Sequence, residues 1–110
     1  MEYKYFKEFE IKNLEPELVS MLDEAREIAG VPFIITSGFR NSIKNKEVGG
    51  VENSAHLSGL AVDIQCLDSA DRFDILRGLL GAKFQRIGVY NNHIHADIDY
   101  SKPFPVLFLK

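Results

Sequence analysis

The sequence predicts a single α+β domain, in which a small antiparallel β-sheet is flanked by helices. The chain has 110 residues, of which 45% are hydrophobic, enough for one core without disulfides. Short alternating apolar segments and longer segments with a helical period occur side by side, and no repeat or linker separates them. We therefore treat residues 1–110 as one domain.

Two segments have the period of amphipathic helices. In residues 15–29 apolar side chains recur every three or four positions, Pro16 suits the first turn, and Gly30 suits the exit. Residues 70–80 form the second predicted helix, with Ser69 as its predicted N-cap. The apolar stripe of this second helix is Phe73, Ile75, Leu76 and Leu79.

Four segments read as strands. Residues 31–36 are an apolar, β-branched run, and residues 59–64 alternate, with Asp63 on the face opposite the apolar side chains. Residues 84–90 and 93–99 predict a hairpin closed at Asn91-Asn92. The sheet is expected to consist of these strands.

The remaining segments read as loops. Residues 41–58 contain several Gly, Asn and Ser residues, which predicts a long loop with one helical turn. Loops of this length in compact domains are usually functional. Residues 101–110 contain two prolines, so we expect an extended tail that does not pair centrally in the sheet, and we assign it no chemistry.

Composition narrows the function classes. Thirteen basic and sixteen acidic residues give a formal charge of -3, which argues against nucleic acid as a partner. Cys66 is the only cysteine, so no intramolecular disulfide forms, as is usual in a reducing compartment. No apolar run of leader or membrane-span length follows Met1, so we expect a cytoplasmic protein with no membrane partner. Action on a cell wall would then require release from the cell. We also expect a monomer.

The last predicted strand carries an ionisable face. His93, His95, Asp97 and Asp99 occupy alternate positions, and apolar residues occupy the positions between them. All four side chains are potential metal ligands or proton carriers. From this alternation alone, a functional site and a solvated surface are equally good interpretations.

Two further residues favour a metal site. A catalytic zinc site has three protein ligands and an open position for water, and His56, Asp63 and His95 would supply such a set. Taken singly, each residue is more often a satisfied polar group of the structure. Only their combination supports the metal interpretation.

Several segments resemble one family. Residues 54–63 match the Ser-x-His-x-x-Gly-x-Ala-x-Asp signature of the zinc D-Ala-D-Ala carboxypeptidases. Residues 37–40 resemble the Ser-Gly-Tyr-Arg element of that family, residues 45–50 resemble the segment after it, and residues 93–95 resemble its closing His-x-His. The resemblance covers roughly residues 14–99, in family order.

The resemblance implies a function for each matched residue. His56, Asp63 and His95 would bind zinc, and Arg40 would hold a carboxylate or carbonyl of the substrate. Without the resemblance, a surface ion pair would be the better interpretation of Arg40. His93 would stabilise the oxyanion of the tetrahedral intermediate. The implied substrates are peptidoglycan stem peptides.

One position departs from the family pattern. Several members carry an acidic general base three residues before the last zinc histidine, where this chain has Asn92. An amide cannot accept a proton from zinc-bound water. Asp97, about 7 Å along the strand from His95, would either replace this base or orient a histidine ligand, and both alternatives stay open.

The predicted function is that of a zinc metallopeptidase, either a D,D-carboxypeptidase or an endopeptidase, acting through a zinc-activated water. Asn92 supports an alternative, a non-catalytic zinc-stabilised module that binds cell-wall peptides or a protein, as the similar Hedgehog domain keeps the zinc fold for another use. A structural or lysis component of a phage, resembling an endolysin, is the third interpretation.

Overall fold

Helices and strands occur together in one domain, which confirms the predicted α+β class. The computed structural model describes residues 3–51 and 53–110; Met1, Glu2 and Glu52, including the start of the chain and part of the predicted loop, lie outside the described residues. The elements are α1 (Pro16–Ala29), β1 (Ile35–Ser37), α2 (Ser42–Glu47), β2 (Ala61–Gln65), α3 (Ser69–Gly81), β3 (Arg86–Val89), β4 (His93–Asp97) and β5 (Val106–Leu109).

The two long helices pack against each other and supply much of the core. α1 is capped at its C-terminus by Gly30, whose φ of 72° is the left-handed conformation expected of a glycine cap. Gly78 of α3 lies so close to α1 that a Cβ there would overlap the carbonyl oxygen of Ala25. The apolar side chains of α1 and most of the predicted stripe of α3 join one buried cluster with the inner face of the sheet, including Leu18, Leu22, Ile75, Leu79, Val62, Ile64, Ile94 and Ala96. Phe73, predicted as part of the α3 stripe, is exposed instead.

The N-cap of α3 differs from the prediction. Asp68, and not Ser69, precedes the first turn, and its carboxylate accepts a hydrogen bond from the backbone N–H of Asp71 at 2.8 Å. Both residue types cap helices well, but only Asp68 has the extended backbone that a cap requires. The helix therefore begins one residue earlier than predicted.

The sheet has the strand order β1-β2-β4-β3-β5. The first four strands pair antiparallel, as predicted, whereas β5 pairs parallel with β3 at the edge. The predicted tail is thus partly a strand, although it does not pair centrally. Asp63, His95 and Gly88 lie directly opposite one another across β2, β4 and β3, on the face turned away from the buried cluster.

The loop between β1 and β2 contains more helix than the predicted single turn. α2 occupies its first part, and a 3₁₀ turn at Ala55–Ser58 precedes β2.

None of the helices in the described part of the chain is long and apolar enough to cross a membrane.

Candidate active site

Three side chains with metal-binding atoms converge on the outer face of the sheet. Nε2 of His56 lies 3.4 Å from Oδ1 of Asp63, and Nδ1 of His95 lies 3.1 Å from the same oxygen. One ligand atom from each residue falls within 4.8 Å of the others. Three donors at this separation can surround one metal ion, with the remaining position open.

The local structure explains how these residues meet. Asp63 and His95 are cross-strand partners on β2 and β4. His56 sits in the 3₁₀ turn before β2, where the hydroxyl of Ser54 accepts a hydrogen bond from its backbone N–H at 3.2 Å. The turn ends at Gly59, which has a φ of 71° and abuts the backbone carbonyl of Asn13 so closely that a Cβ would overlap it.

The ring nitrogens that face away from the group are also engaged. Nδ1 of His56 lies 2.7 Å from the carbonyl oxygen of Gly38, and Nε2 of His95 lies 2.7 Å from Oδ2 of Asp97. Histidines that bind metals usually donate their other N–H to a carbonyl or carboxylate in this way, which fixes the ring orientation and the tautomer. The residues present therefore fit a metal ion.

Asp97 is buried and fully engaged by neighbours. It is 1% exposed, and its Oδ1 accepts hydrogen bonds from Nε of Arg86 at 2.7 Å and from the N–H of Asp99 at 3.0 Å. Arg86 lies opposite Asp97 in the β3–β4 register and also donates to the carbonyl of Pro103. Sequence reasoning missed Arg86, which only the hairpin register places beside Asp97.

The pKa values of Asp63, His95 and Asp97 are shifted by the contacts among these side chains. Burial alone would raise the pKa of Asp63, but hydrogen bonds from His56 and His95 outweigh burial and hold that pKa well below its usual range. Burial would likewise raise the pKa of Asp97, yet the bond from His95 lowers it. For His95 burial acts to lower the pKa, and the bonds to Asp63 and Asp97 raise it. The lowered pKa values of the two carboxylates and the raised pKa of His95 together favour positive charge at the His95 ring, which lies between the carboxylates.

Arg40 lies beside the same carboxylate. Its Nη2 is 3.7 Å from Oδ2 of Asp63, and its Nη1 donates to Oδ1 of Asn45 at 3.3 Å. Asn45 is buried, and its own amide donates to the carbonyl of Val51 at 2.7 Å. A Cβ on Gly50 would overlap the Asn45 amide, so this glycine leaves room for the contact. The guanidinium is thereby held next to the candidate metal-binding group of His56, Asp63 and His95.

His93 lies at the end of the site near the hairpin turn. Its ring stacks on Tyr90, with 4.3 Å between the ring centroids, and its Nδ1 donates to Oδ1 of Asn92 at 2.9 Å. His93 projects from the same face of β4 as His95, two positions away. Asn92 itself is exposed at the turn and is directed toward His93.

The C-terminal strand contributes a residue that sequence reasoning also missed. The ring of Phe108 fills the space that a side chain at Gly88 would occupy, so a Cβ there would overlap it. Its centroid lies 5.9 Å from that of His95 and 6.3 Å from that of Tyr90. A glycine inside a strand signals such a close approach, and Gly88 was the available signal.

Comparisons with known proteins agree with this arrangement. The family described as Peptidase M15 matches residues 5–97. The crystal structure of the Serratia marcescens L-Ala D-Glu endopeptidase ChiX shares the fold, with a TM-score of 0.61, 19% sequence identity and 86% of each chain covered. The comparison with curated proteins gave no match. Because the family match spans most of the sequence and carries the histidine and aspartate motifs, the chain belongs to the Peptidase M15 family, which confirms its resemblance to the zinc D-Ala-D-Ala carboxypeptidases.

Proposed function

We propose that this protein is a zinc-dependent peptidase that hydrolyses peptidoglycan stem peptides. The proposal rests chiefly on the convergence of His56, Asp63 and His95 within 4.8 Å, with the outward nitrogen of each histidine already hydrogen-bonded. Membership in a peptidase family supports the reaction class. The name of the similar endopeptidase supports the substrate class, because it specifies a bond between L-Ala and D-Glu.

The donor set favours zinc as the metal. Two imidazoles and one carboxylate with an open fourth position are typical of catalytic zinc sites. Zinc held by His56, Asp63 and His95 would supply an acidified water and polarise the scissile carbonyl. Asp63 is kept ionised by its two histidine neighbours and so is ready to serve as an anionic ligand.

Asp97 is assigned a positioning role. Both of its oxygens are occupied, one by His95 and the other by Arg86 and the backbone of Asp99, and the side chain is almost completely buried. A general base needs an accessible oxygen within hydrogen-bond reach of the proton it removes. The contacts of Asp97 instead suit a residue that fixes the ring of His95.

Arg40 and His93 are assigned to the substrate. Arg40 is held beside Asp63 with its Nε buried and without a hydrogen-bond partner among the described residues, so it can bind a carboxylate or carbonyl of the peptide. His93 projects from the same strand face as His95 and can donate a hydrogen bond to the oxyanion that develops during hydrolysis.

The proposal is tested by incubating the purified protein with muropeptides, with and without a chelator, and identifying products by mass spectrometry. Chelator-sensitive cleavage that returns when zinc is restored is expected. Release of free D-Ala would identify a carboxypeptidase, and cleavage within the stem would identify an endopeptidase. Binding without cleavage in the zinc-loaded protein would instead support the alternative, a zinc-stabilised binding module, which the amide at Asn92 favours.

A further inference from the structure

A cleft of about 550 Å³ opens beside Arg40 and extends away from the metal-binding group. One wall is the N-terminal segment from Phe9 to Asn13, and the other runs from β1 to Lys44 in α2. Ligand sites in proteins commonly have volumes of about 300–1,000 Å³. The cleft is therefore large enough to hold several residues of an extended peptide.

The cleft is structurally joined to the candidate active site. Arg40 lines the cleft while its guanidinium lies 3.7 Å from Asp63, so one side chain borders both spaces. The opposite wall is attached to the loop that carries His56, because the N–H of Glu15 donates to the carbonyl of Gly59 at 2.9 Å. A peptide that reaches the metal-binding group past Arg40 would continue into the cleft.

The charge of the cleft is opposite to that of the whole protein. Three basic residues line it, Lys12, Arg40 and Lys44, against one acidic residue, Glu10, whereas the whole chain has a formal charge of -3. The Glu10 carboxylate accepts a hydrogen bond from the N–H of Lys7 at 3.0 Å, within the 3₁₀ turn at Glu8–Glu10. This carboxylate is therefore already paired with the backbone. Within the described residues no carboxylate oxygen lies within 4.0 Å of either lysine ammonium.

Aromatic side chains add apolar contact at the rim. Phe9 is 78% exposed and Phe39 is 40% exposed, and both line the cleft. Exposed aromatic side chains next to positive charges suit a ligand that is partly apolar and carries negative charge. A free inorganic anion would use the charges alone and leave the aromatic rings without contact.

We propose that this cleft binds the part of the stem peptide that carries the α-carboxylate of D-Glu. Lys12 and Lys44 pair with a free carboxylate there, and Phe9 and Phe39 contact the adjoining aliphatic portion. This assignment rests on the proposed function for the identity of the peptide. It adds a second anion-binding position, distinct from the one at Arg40.

The test compares two synthetic peptides, L-Ala-γ-D-Glu-L-Lys-D-Ala-D-Ala, which contains the bonds cut by both types of peptidase, and the same peptide with its D-Glu α-carboxylate amidated. Each is titrated into the zinc-loaded protein while NMR spectra are recorded; early spectra give Kd, and later spectra give the cleavage rate. The variant Lys12→Gln/Lys44→Gln removes both cleft lysines. The control Lys46→Gln/Lys83→Gln makes the same change in net charge at exposed lysines, one of them on the same helix, that do not line the cleft.

We expect the cleft variant to raise Kd for the acidic peptide by about three- to tenfold and to change Kd for the amidated peptide less than about twofold. The effect should shrink as salt is added, since exposed charges are screened. Equal Kd values of the two peptides for the unmodified protein, an unchanged Kd in the cleft variant, or the same loss in the control would overturn the proposal.

The two proposals fail in different ways. If the peptides are cleaved but the Kd is the same in the unmodified protein and in the Lys12→Gln/Lys44→Gln variant, the cleft assignment is refuted and the peptidase function stands. If the acidic peptide binds in a way that depends on these two lysines but is not cleaved, the peptidase function is refuted and the cleft assignment stands.

Discussion

The imidazole of His95 lies between two carboxylates, with Nδ1 at 3.1 Å from Asp63 and Nε2 at 2.7 Å from Asp97. Only the Nδ1 side also faces His56, because the Asp63 oxygen it contacts lies 3.4 Å from Nε2 of His56. The Nε2 side is closed by a buried carboxylate that Arg86 holds in place. The ring thus presents Nδ1 to the proposed metal position, while Asp97 engages its other nitrogen.

Replacing this buried carboxylate tests its role. We expect Asp97→Asn to weaken zinc binding by about 10- to 100-fold, because the amide holds the His95 ring and its tautomer less well than the carboxylate does. Activity should recover partly when zinc is added in excess. The measurements are zinc affinity by competition with a chromogenic chelator and kcat at several zinc concentrations.

A different result would identify Asp97 as the general base. In that case zinc affinity would stay unchanged, and kcat would fall by orders of magnitude at every zinc concentration. Asp99→Asn is the matched control, because Asp99 lies just beyond the end of β4 and its carboxylate pairs with Lys102 at 2.8 Å. The control should leave zinc affinity unaltered.

His93 is predicted to act on the transition state. We expect His93→Gln to lower kcat by about 10²- to 10³-fold, as loss of one oxyanion donor usually does, while KM and zinc content change little. Tyr90→Phe preserves the ring on which His93 stacks and should leave kcat within about threefold, since only a remote hydroxyl is removed. A kcat for His93→Gln equal to that of the unmodified protein would remove His93 from the mechanism.

Asn92 occupies the position where several family members carry a general base. Its side chain is exposed and accepts a hydrogen bond from His93, so an aspartate there would contact His93 and not the metal-binding group. We expect Asn92→Asp to leave kcat/KM within about threefold, because no catalytic proton lies within its reach. A gain of tenfold or more in the muropeptide assay would show that position 92 does serve the metal site.

Substitutions at Gly88 and Phe108 are predicted to have coupled effects on the free energy of unfolding. A methyl group at Gly88 would overlap the Phe108 ring, so Gly88→Ala should lower the free energy of unfolding by about 1–3 kcal/mol, as overpacking does. The smaller side chain of Phe108→Leu should relieve part of this cost in the double variant. Urea denaturation of the four proteins measures the coupling, and strictly additive effects would contradict the contact.

The sequence predicted those parts of the structure that depend on local periodicity. The period of residues 15–29 gave α1 to within a residue, and the alternation around Asp63 and His95 placed both side chains on the outer face of the sheet. The prediction that His56 joins Asp63 and His95 depended on the family motif. The sequence spacing between a turn and a strand does not determine the distance between their side chains.

The parts that the sequence did not predict depend on contacts distant in sequence. The pairing of β5 with β3 joins segments separated by the hairpin turn, β4 and a proline-containing loop, and no local pattern marks a parallel edge strand of this kind. Phe108 was missed for the same reason. The hydrogen bond between Arg86 and Asp97 depends on the register of the β3–β4 hairpin. A change of one residue in that register would give every residue a different cross-strand neighbour, so the pair could not be predicted from the sequence.

The most direct test of the central claim is the zinc content of the purified protein, determined by mass spectrometry of the metal after dialysis. The unmodified protein should retain about one zinc per chain, because three convergent donors form a single site. His56→Ala, Asp63→Ala and His95→Ala should each lose most of it, whereas His93→Ala should keep it. Full zinc content in His56→Ala, or no zinc bound by the unmodified protein, would contradict the assignment of these three residues as the metal site.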